Sequence, residues 1–325
     1  MSILDRIILF GGSGFIGTHL LNRLVENEHT VLNFDINNPF DKPHLKFFHF
    51  GDVRKEISLE NTSNNGIIFN LAAVHKTPGH PSNEYFETNI LGAQNVCDFA
   101  RENNINTIVF TSSIAVYGTY EEQKSEATLP MPDIPYGISK LNAEYIHKLW
   151  QKEDPTNRRL IIIRPGVVFG KYENGNFTRL INSLSKGYFF YPGRRDTRKG
   201  CIYVKDLVDL IINRTSEAKP GIEIINASYH PSPELSKIVK TIKHLTKSKS
   251  RTITLPSKLL FLASWVLHRG FGLKSFHSNR IKKLMISNDI NGEKMMSLIQ
   301  PKYGLELGIK DWLEETNYSQ NKKVY

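Results

Sequence analysis

A tyrosine and a lysine spaced for one helix face are the first sign of chemistry in this 325-residue chain. Tyr136 and Lys140 stand four positions apart, so in a helix their side chains lie on the same face. A phenol titrates near ~10 in water, and an adjacent ammonium favours its ionised form. The pair could therefore supply a base near neutral pH, with the lysine also holding a ribose. By itself the spacing is common and fits a solvated helix face equally well.

Hydroxyl side chains follow the apolar segment Thr107–Phe110, at Thr111, Ser112 and Ser113. The carboxyl end of a strand in a parallel sheet is where catalytic side chains project. A hydroxyl there can donate to a substrate oxygen as negative charge develops on it. Thr111 is expected to satisfy the local backbone instead.

A glycine-rich turn near the N-terminus, with the spacing G-x-x-G-x-x-G, predicts a phosphate-binding loop. It lies between the apolar segment Ile7–Phe10 and a segment that is apolar at helical spacing. The first glycine permits the turn, the second admits a pyrophosphate, and the third lets the helix pack on the strand. The N–H groups at the helix start favour phosphate. The loop residues are Gly11, Gly14, Phe15, Ile16 and Gly17.

A carboxylate, Asp35, ends the second apolar run and stands eighteen residues past Gly17. A carboxylate in that position accepts hydrogen bonds from both ribose hydroxyls of an adenosine. It also repels a 2′-phosphate, and residues 36–38 contain no arginine to neutralise one. We therefore predict NAD as the cofactor in preference to NADP, although Arg54 could reach this position after folding. The alternative for Asp35 is a simple strand-end turn.

Composition is that of an ordinary globular protein, with 40% hydrophobic and 23% charged residues. The net charge is +10, with clusters of basic residues at 194–199 and 240–251. No nucleic-acid-binding motif accompanies these clusters. We therefore expect a doubly phosphorylated ligand and general surface charge, and no nucleic acid.

Two cysteines, Cys97 and Cys201, are too far apart in the sequence to suggest a disulfide framework or a metal site. Cys97 stands in an apolar helical stretch and is expected in the core. The eleven histidines include no His-x-x-x-His pair, so no metal is predicted. No signal segment precedes the first strand, and we expect a cytoplasmic protein.

The most apolar stretch, Leu259–Leu267, is too short to span a bilayer, so no transmembrane segment is predicted. A buried or lobe-packing helix is the first interpretation. Because Lys258 and Arg269 flank the stretch, a peripheral membrane contact is the second.

Strand and helix patterns alternate through the first half of the chain, which predicts an α/β fold with a doubly wound parallel (Rossmann) sheet. We predict a dinucleotide-binding domain over 1–170 and a smaller, mainly substrate-binding lobe over 171–325, with 222–226 returning to the sheet. The predicted strands beyond residue 60 are Ile67–Ala72, Thr107–Thr111, Leu160–Arg164 and Ile222–Ile225, and the predicted helices are Tyr85–Glu102 and Ile138–Gln151.

These residues resemble the extended short-chain dehydrogenase/reductases, in particular the NAD-dependent nucleotide-sugar epimerase/dehydratase group. The likeness covers almost the whole chain and is strongest over 7–170. The motifs that carry it are Gly11–Gly17, Asp52-Val53, Asn70–Ala73, Asn89, Thr111–Gly118, the Tyr136/Lys140 pair and Arg164–Gly170.

The resemblance implies further contacts with the cofactor. In such enzymes the match of Asp52-Val53 contacts adenine, that of Leu71–Ala73 lines the cofactor, and that of Arg164-Pro165 closes over the nicotinamide. The last hydroxyl before the Val-Tyr-Gly element is catalytic, which here is Ser113, with Ser112 second. With those argued above, the predicted cofactor contacts are Gly11, Gly14, Phe15, Ile16, Gly17, Asp35, Asp52, Val53, Leu71, Ala72, Ala73, Asn89, Tyr136, Lys140 and Pro165.

The diphosphate of the substrate needs positive partners, and the segment Arg194–Lys199 supplies them. In the family, a basic residue shortly before the last strand of this region holds the diphosphate. Register favours Lys199, with Arg198 next, and the loop Gly175–Phe177 is expected to contribute Asn176. The family also implies a homodimer.

The two residues after the catalytic hydroxyl narrow the reaction. Dehydratases of the group carry Asp-Glu there, decarboxylating members carry Glu at the second position, and epimerase-reductases of the GDP-fucose type carry Cys at the first. This chain has Ile114-Ala115. What remains is chemistry that needs only hydride transfer and the Ser/Tyr/Lys set.

Two reactions fit. The first is NAD-dependent 4-epimerisation of a UDP-hexose or UDP-N-acetylhexosamine through a 4-keto intermediate. The alternative is NAD(P)H-dependent 4-keto reduction of a nucleotide deoxysugar, as in surface-polysaccharide biosynthesis. A third hypothesis is a non-catalytic NAD(P)-sensing protein, but a sensor needs no catalytic base, and the Ser113/Tyr136/Lys140 set is intact.

Overall fold

The computed structural model describes residues 6–59, 66–76, 79–217, 219–256, 258 and 285–318. Its strands are β1 (Arg6–Phe10), β2 (Val31–Asp35), β3 (Phe48–Phe50), β4 (Gly66–Asn70), β5 (Thr107–Thr111), β6 (Arg159–Pro165), β7 (Val167–Phe169), β8 (Tyr188–Pro192), β9 (Cys201–Tyr203), β10 (Gly221–Ala227) and β11 (Arg251–Leu255). Its α-helices are α1 (Phe15–Glu26), α2 (Ser82–Phe86), α3 (Gly92–Glu102), α4 (Pro135–Glu153), α5 (Asn176–Ser185), α6 (Val204–Thr215), α7 (Leu235–Leu245), α8 (Glu293–Leu298) and α9 (Gly304–Glu315).

A seven-stranded parallel sheet forms the centre, with the strand order β10-β6-β5-β4-β1-β2-β3. Helices follow most of the strands and cover both faces, which is the doubly wound arrangement that the alternating pattern predicted. The strand β10 lies at one edge beside β6, so the segment predicted to return to the sheet does so. The predicted fold class is confirmed.

Alternate residues of each strand serve two separate hydrophobic cores. On one face, Ile7 and Leu9 of β1 pack in a core with residues of α1 and α6. On the other face, Ile8 and Phe10 pack with residues of α3 and α4, including Cys97. Because both faces are buried, the strands read as continuous apolar runs.

The strand order reverses between β1 and β4, and ligands of open α/β sheets bind in the crevice at such a point. Phe10 and Asn70 are register partners, so the glycine loop and the segment after β4 leave the sheet side by side. Gly11 has φ +81°, and a Cβ there would lie 2.7 Å from the Ala72 nitrogen. Only glycine permits this approach.

Two short strand pairs lie outside the main sheet, in the second half of the chain. β7 pairs with β9, and β8 pairs with β11, each in parallel. α9 packs back on this region, with Trp312 fully buried. The apolar stretch 259–267 lies outside the described residues. Within the part of the chain that the structure describes, no helix is long and apolar enough to cross a membrane.

Two predicted helices differ from the observed ones in their bounds. The predicted helix Ile138–Gln151 begins earlier, at Pro135, and ends at Glu153. The predicted helix Tyr85–Glu102 is divided into α2, a π-helical turn over Glu87–Leu91 and α3. The π-helical turn carries Asn89, one of the residues predicted to contact the cofactor.

Candidate active site

The structure brings Ser113, Tyr136 and Lys140 together at the carboxyl end of β5. Ser113 follows the strand and caps a short 3₁₀ turn, where its Oγ accepts a hydrogen bond from the Ala115 N–H (3.1 Å). Tyr136 and Lys140 lie in the first turns of α4, and a hydrogen bond joins Tyr136 to Ser113. A Cβ at Gly137 would lie 2.4 Å from the Ala115 oxygen, so a glycine is needed to bring the helix this close to the serine turn.

The phenol of Tyr136 is harder to ionise than the sequence argument assumed. Burial raises its pKa to about 12, and the nearby Tyr85 adds to this, while the hydrogen bond with Ser113 opposes it. The two rings lie 6.3 Å apart between centroids. The expected lowering by Lys140 is not seen, because the groups that shift the pKa of Tyr136 are its burial, Ser113 and Tyr85. The positive charge that would favour the phenolate must therefore come with the cofactor.

Lys140 is nearly inaccessible and holds a fixed position. Its Nζ donates to the Thr111 carbonyl (2.7 Å) and lies 4.7 Å from the centre of the Phe110 ring. Burial lowers its pKa to about 7, although the charge of Glu144 acts in the opposite direction. Burial thus favours the neutral amine, and Glu144 favours the ammonium.

A buried ion pair between Glu144 and Arg164 is the main feature that the sequence reasoning missed. The Glu144 carboxylate accepts from Arg164 Nε (2.8 Å) and Nη2 (2.6 Å), and both side chains are almost fully buried. Ser112 Oγ donates to the same carboxylate (2.6 Å). Burial alone raises the pKa of Glu144, but the hydrogen bonds and charge of Arg164 outweigh it, so the pKa lies below its usual value.

This arrangement defines the positions of Ser112 and Arg164. The Ser112 hydroxyl is committed to Glu144, whereas the neighbouring Ser113 contacts Tyr136. The Arg164 guanidinium points into the interior, where Nη1 also donates to the Tyr117 hydroxyl (2.8 Å). The closure of Arg164-Pro165 over a nicotinamide stays a prediction. The spacing Tyr136-Lys140-Glu144 at every fourth position was the available signal.

The glycine loop has the form that a pyrophosphate requires. α1 begins at Phe15, directly after Gly14, with no side chain capping its first N–H groups. A Cβ at Gly17 would lie 2.5 Å from the Gly11 oxygen, so the helix packs tightly on the turn. The helix start is therefore open to an anion, as the spacing predicted.

Asp35 lies beside this loop. Its carboxylate accepts hydrogen bonds from the Ser13 N–H (3.0 Å) and the Asn37 N–H (2.9 Å). Burial raises its pKa, and these backbone donors oppose the rise. The carboxylate is thus fixed at the end of β2, where a ribose is predicted to bind.

A cavity of about 410 Å³ lies next to Asp35. Its lining includes Phe34 and Ile36, the sequence neighbours of Asp35, together with Asp52 and Arg54. Arg54 Nε and Nη2 both donate to the Asp52 carboxylate, at 2.9–3.0 Å and 2.7 Å. In this arrangement the guanidinium is directed to Asp52. The cavity, the carboxylate and the open helix start fit an adenine dinucleotide without a 2′-phosphate.

Hydrogen bonds from Asn89 hold the loop after β4 in place. Its Oδ1 accepts from the Val74 N–H (2.9 Å), and its Nδ2 donates to the Val74 carbonyl (3.1 Å) and to Ser139 Oγ (2.8 Å). The amide thus joins the predicted cofactor-lining loop to α4. His75, which follows Val74 in this loop, was missed by the sequence reasoning. Burial lowers its pKa, and the charge of Lys140 adds to this, which places the ring near Lys140.

The predicted substrate residues lie apart from this cluster in the sequence, and all have partners in the protein. Asn176 is the exposed first residue of α5, where its Oδ1 accepts from Arg179 (2.9 Å). Lys199 Nζ donates to the Ile286 carbonyl (2.8 Å), and burial lowers its pKa to about 8. Arg198 Nη1 donates to the Ser232 carbonyl (3.0 Å). Their role in binding a diphosphate stays a prediction.

The described residues hold no group of three or more His, Cys, Asp or Glu side chains arranged to bind a metal ion. Cys97 and Cys201 are both buried and free. Burial raises the pKa of the Cys97 thiol to about 12 and that of Cys201 further still. Neither is a reactive thiol.

Comparison with known proteins agrees with this geometry. The model of the NAD dependent epimerase/dehydratase family matches residues 7–227. N-acetyl-alpha-D-glucosaminyl-diphospho-ditrans,octacis-undecaprenol 4-epimerase of Escherichia coli O157:H7 is 30% identical over 302 residues, which are 90% of this chain and 89% of the relative. UDP-glucose 4-epimerase of Vibrio cholerae is 26% identical over 68% of this chain and 70% of its own length.

The solved structure of MoeE5 in complex with UDP-glucuronic acid and NAD superimposes with a TM-score of 0.77 at 21% identity, covering 97% of this chain and 99% of the other. At that identity the superposition speaks for the fold. Taken together, the matches confirm the predicted fold class, the enzyme class and the dependence on NAD. The chain belongs to the NAD-dependent epimerase/dehydratase family.

Proposed function

We propose that the protein is an NAD-dependent 4-epimerase of a nucleotide sugar, acting on a UDP-hexose or UDP-N-acetylhexosamine. The observation that carries this is the contact of Ser113 with Tyr136, one helix turn from Lys140, at the sheet edge that also bears the dinucleotide loop. Ile114 and Ala115 follow the serine, so the acid and base that water elimination needs are missing there. The relatives named above are 4-epimerases.

Each side chain has a defined task. NAD, when bound at the glycine loop and Asp35, would supply the hydride acceptor and donor for the sugar. Tyr136 removes the proton from the sugar O4 and later gives it back, and the Ser113 hydroxyl donates a hydrogen bond to that oxygen. Lys140, fixed by the Thr111 carbonyl, offers its ammonium as a donor to a ribose, and the positive charge that favours the phenolate would come with bound NAD. The 4-keto sugar must turn between the two transfers so that the hydride returns to its other face.

The reaction is tested by incubating the purified protein with UDP-glucose and with UDP-N-acetylglucosamine, with and without added NAD(P)H. We expect the 4-epimer to form without net change in the absorbance of reduced nicotinamide, and NAD to remain with the protein. A 4-ketoreductase, the alternative, consumes NAD(P)H in proportion to its product and must release the oxidised cofactor. Stoichiometric consumption with a 4-keto deoxysugar would replace the first proposal by the second.

A second candidate substrate carries the same sugar diphosphate on a lipid. The relative from Escherichia coli O157:H7 matches along 89% of its length, and its name describes a sugar linked through diphosphate to undecaprenol. The same Ser/Tyr/Lys chemistry serves either carrier. Parallel assays with UDP-N-acetylglucosamine and with undecaprenyl-diphosphate-N-acetylglucosamine in detergent distinguish them by the ratio of kcat/KM.

We also propose that the active protein is a cytoplasmic homodimer with a dinucleotide domain over 1–170 and a mainly substrate-binding lobe over 171–325. Light scattering of the NAD-loaded protein tests the dimer, and limited proteolysis tests the boundary near residue 170. A monomer at assay concentrations would remove the dimer from the proposal.

A further inference from the structure

The positive charge of the chain is concentrated in one segment. Residues 235–288 contain twelve lysines and arginines and no aspartate or glutamate, so the rest of the chain has a net charge of −2 against +10 for the whole. Six of the twelve lie in 235–256, which includes α7 and β11. The excess is therefore a local property of this part of the molecule and not a general surface charge.

An exposed apolar face lies in the same part of the fold. β8 and β11 pair in parallel, with Tyr188 opposite Arg251 and Phe190 opposite Ile253. Alternate residues of a strand point to opposite sides, and Phe189 and Tyr191 point inward to the core. On the outer side, Tyr188 is 49% exposed, Phe190 43% and Ile253 49%. Clustered exposed apolar side chains of this kind mark interaction surfaces.

Basic side chains surround the amino-terminal end of the two strands. Exposed Lys186 precedes β8, exposed Lys247 and Lys249 precede β11, and the exposed Arg251 begins it. The Arg251 N–H donates to the Gly187 carbonyl (2.9 Å), which brings the two groups to one end of the sheet. Among the residues that the structure describes, none of these four cations has a carboxylate within 4 Å. Their charge is thus available to an external anion.

We propose that this β8–β11 face docks on a membrane with anionic headgroups. It comprises Lys186, Tyr188, Phe190, Lys247, Lys249, Arg251 and Ile253. Apolar and aromatic side chains enter the interface of a bilayer, and flanking lysines and arginines meet the lipid phosphates. Nucleic acid would satisfy the cations but gives no reason for an exposed isoleucine between them.

The face is adjacent along the chain to the segment predicted to hold the substrate diphosphate. β8 ends at Pro192, and Arg194–Lys199 follows directly. The Arg195 guanidinium lies 5.0 Å from the Tyr191 ring, and its Nε donates to Thr254 on β11 (2.7 Å). Tyr191 and Thr254 are register partners on the inner side of the strand pair, so Arg195 and the exposed face lie on opposite sides of it. The inference rests on the face itself and holds for either candidate carrier.

The test is cosedimentation of the full chain with vesicles. We expect binding to phosphatidylglycerol/phosphatidylethanolamine vesicles that weakens with salt, and little binding to phosphatidylcholine. Each basic side chain near an anionic surface strengthens partitioning about fivefold, so Lys247→Gln/Lys249→Gln/Arg251→Gln should weaken it on the order of 100-fold. Replacing three exposed lysines elsewhere, Lys42→Gln/Lys152→Gln/Lys219→Gln, is the matched control and should change it little.

A reporter on the face keeps the test independent of how well a variant folds. Both native cysteines are buried, so a Phe190→Cys substitution can be labelled selectively with a solvatochromic dye. We expect its emission to shift to the blue on anionic vesicles. An unshifted dye, equal weakening by both triple variants, or binding of duplex DNA without binding of vesicles would each overturn the proposal.

Turnover is measured separately on a water-soluble nucleotide sugar. The triple variant of the face should keep wild-type kcat because its residues lie outside the catalytic cluster. Vesicle binding without any epimerisation would remove the proposed function and leave docking in place. Epimerisation without vesicle binding would remove the docking proposal and leave the proposed function in place.

Discussion

Glu144→Gln is the substitution that most directly tests how the catalytic lysine is held. Gln keeps the size of the side chain and its hydrogen bond to Ser112, but it removes the negative charge that now faces Arg164 and Lys140. Arg164 is then left as a buried cation without a countercharge. Lys140 loses the one group that raises its pKa. The substitution should therefore lower both the stability of the protein and the pH range of its activity.

The effect on stability follows from the burial of the pair. Removing one partner of a buried ion pair costs about 3–5 kcal/mol. The entropy of unfolding is about 2.1 cal/mol/K per residue, which for 325 residues gives about 0.7 kcal/mol/K. A loss of about 4 kcal/mol should thus lower the Tm by about 6 °C.

The effect on the lysine follows from Coulomb's law. Side chains four apart on a helix are about 6 Å apart, and unit charges at that distance interact by about 3 kcal/mol at an effective dielectric constant of about 20. The Arg164 charge acts on Lys140 before and after the substitution, so the lost interaction should lower the pKa of Lys140 by about two units from its value of about 7. Because the proposed role of Lys140 uses its ammonium form, the alkaline limb of the kcat profile should move to lower pH by a similar amount.

Two further variants separate the structural effect from the electrostatic one. Replacing both partners, Glu144→Leu with Arg164→Met, removes the orphaned charge and should restore most of the Tm. Its alkaline limb should lie between those of the wild type and Glu144→Gln. Glu153→Gln is the matched control. Glu153 lies at the end of α4 and forms ion pairs with Arg101 and Arg158, but it is half-exposed, and exposed ion pairs contribute little to stability.

The assays are thermal unfolding of the NAD-loaded proteins at one scan rate and pH profiles of kcat with the nucleotide sugar. A Tm for Glu144→Gln within about 1 °C of the control would show that the buried pair does not stabilise the fold as argued. An unmoved alkaline limb would show that Glu144 does not set the charge of Lys140.

Four more outcomes are expected. Tyr136→Phe should lower kcat by about 10²–10⁴-fold with little change in Tm or NAD affinity, because it removes the proton-transferring hydroxyl and almost no volume. Difference absorbance of tyrosinate between wild type and Tyr136→Phe should show a midpoint near pH 12 for the free protein and a lower one with bound NAD, because its cationic ring favours the phenolate. Calorimetry should show tighter binding of NAD than of NADP, because Asp35 repels the extra phosphate and Asp52 holds Arg54. Arg198→Ala/Lys199→Ala should raise the substrate KM strongly and leave NAD affinity unchanged.

Each of these has a contrary result that would change the account. Near-normal turnover of Tyr136→Phe would move the proton transfer to another group. An NAD-independent tyrosinate midpoint would mean that the cofactor charge does not reach the phenol. Equal affinity for NADP would show that Arg54 leaves Asp52 on binding, and an unchanged KM would place the diphosphate elsewhere.

The central sheet could be predicted from the sequence because its signals are local. The inner strands, buried on both faces, are short runs rich in Ile, Leu, Val and Phe, as in Ile7–Phe10, and each is followed by a turn or a helix start. The glycine loop was equally readable because its spacing between an apolar strand and an apolar helix is a local signal. The positions of Ser113, Tyr136 and Lys140 followed from these elements and from the family resemblance.

The ion pair of Glu144 with Arg164 could not be predicted in the same way. The two residues are twenty positions apart on a helix and a strand, and only the packing of α4 on β6 brings them together. The pairing of β8 with β11 has the same character, since it joins segments about sixty residues apart. Lys199 illustrates the limit most clearly, because its partner Ile286 lies 87 residues away and is contacted through its backbone.

The charge states of Tyr136 and Lys140 also depend on long-range packing, and they differ from those that the sequence predicted. Local reasoning placed an ammonium beside a phenol and expected a phenolate. In the folded protein, burial raises the pKa of Tyr136 and lowers that of Lys140, so each group is driven toward its neutral form. In the proposed reaction, Tyr136 would therefore become a strong base only when a cationic ring binds next to the phenol. Proton removal from the sugar would thereby be tied to the oxidised cofactor, which is the only form that can accept the hydride released with it.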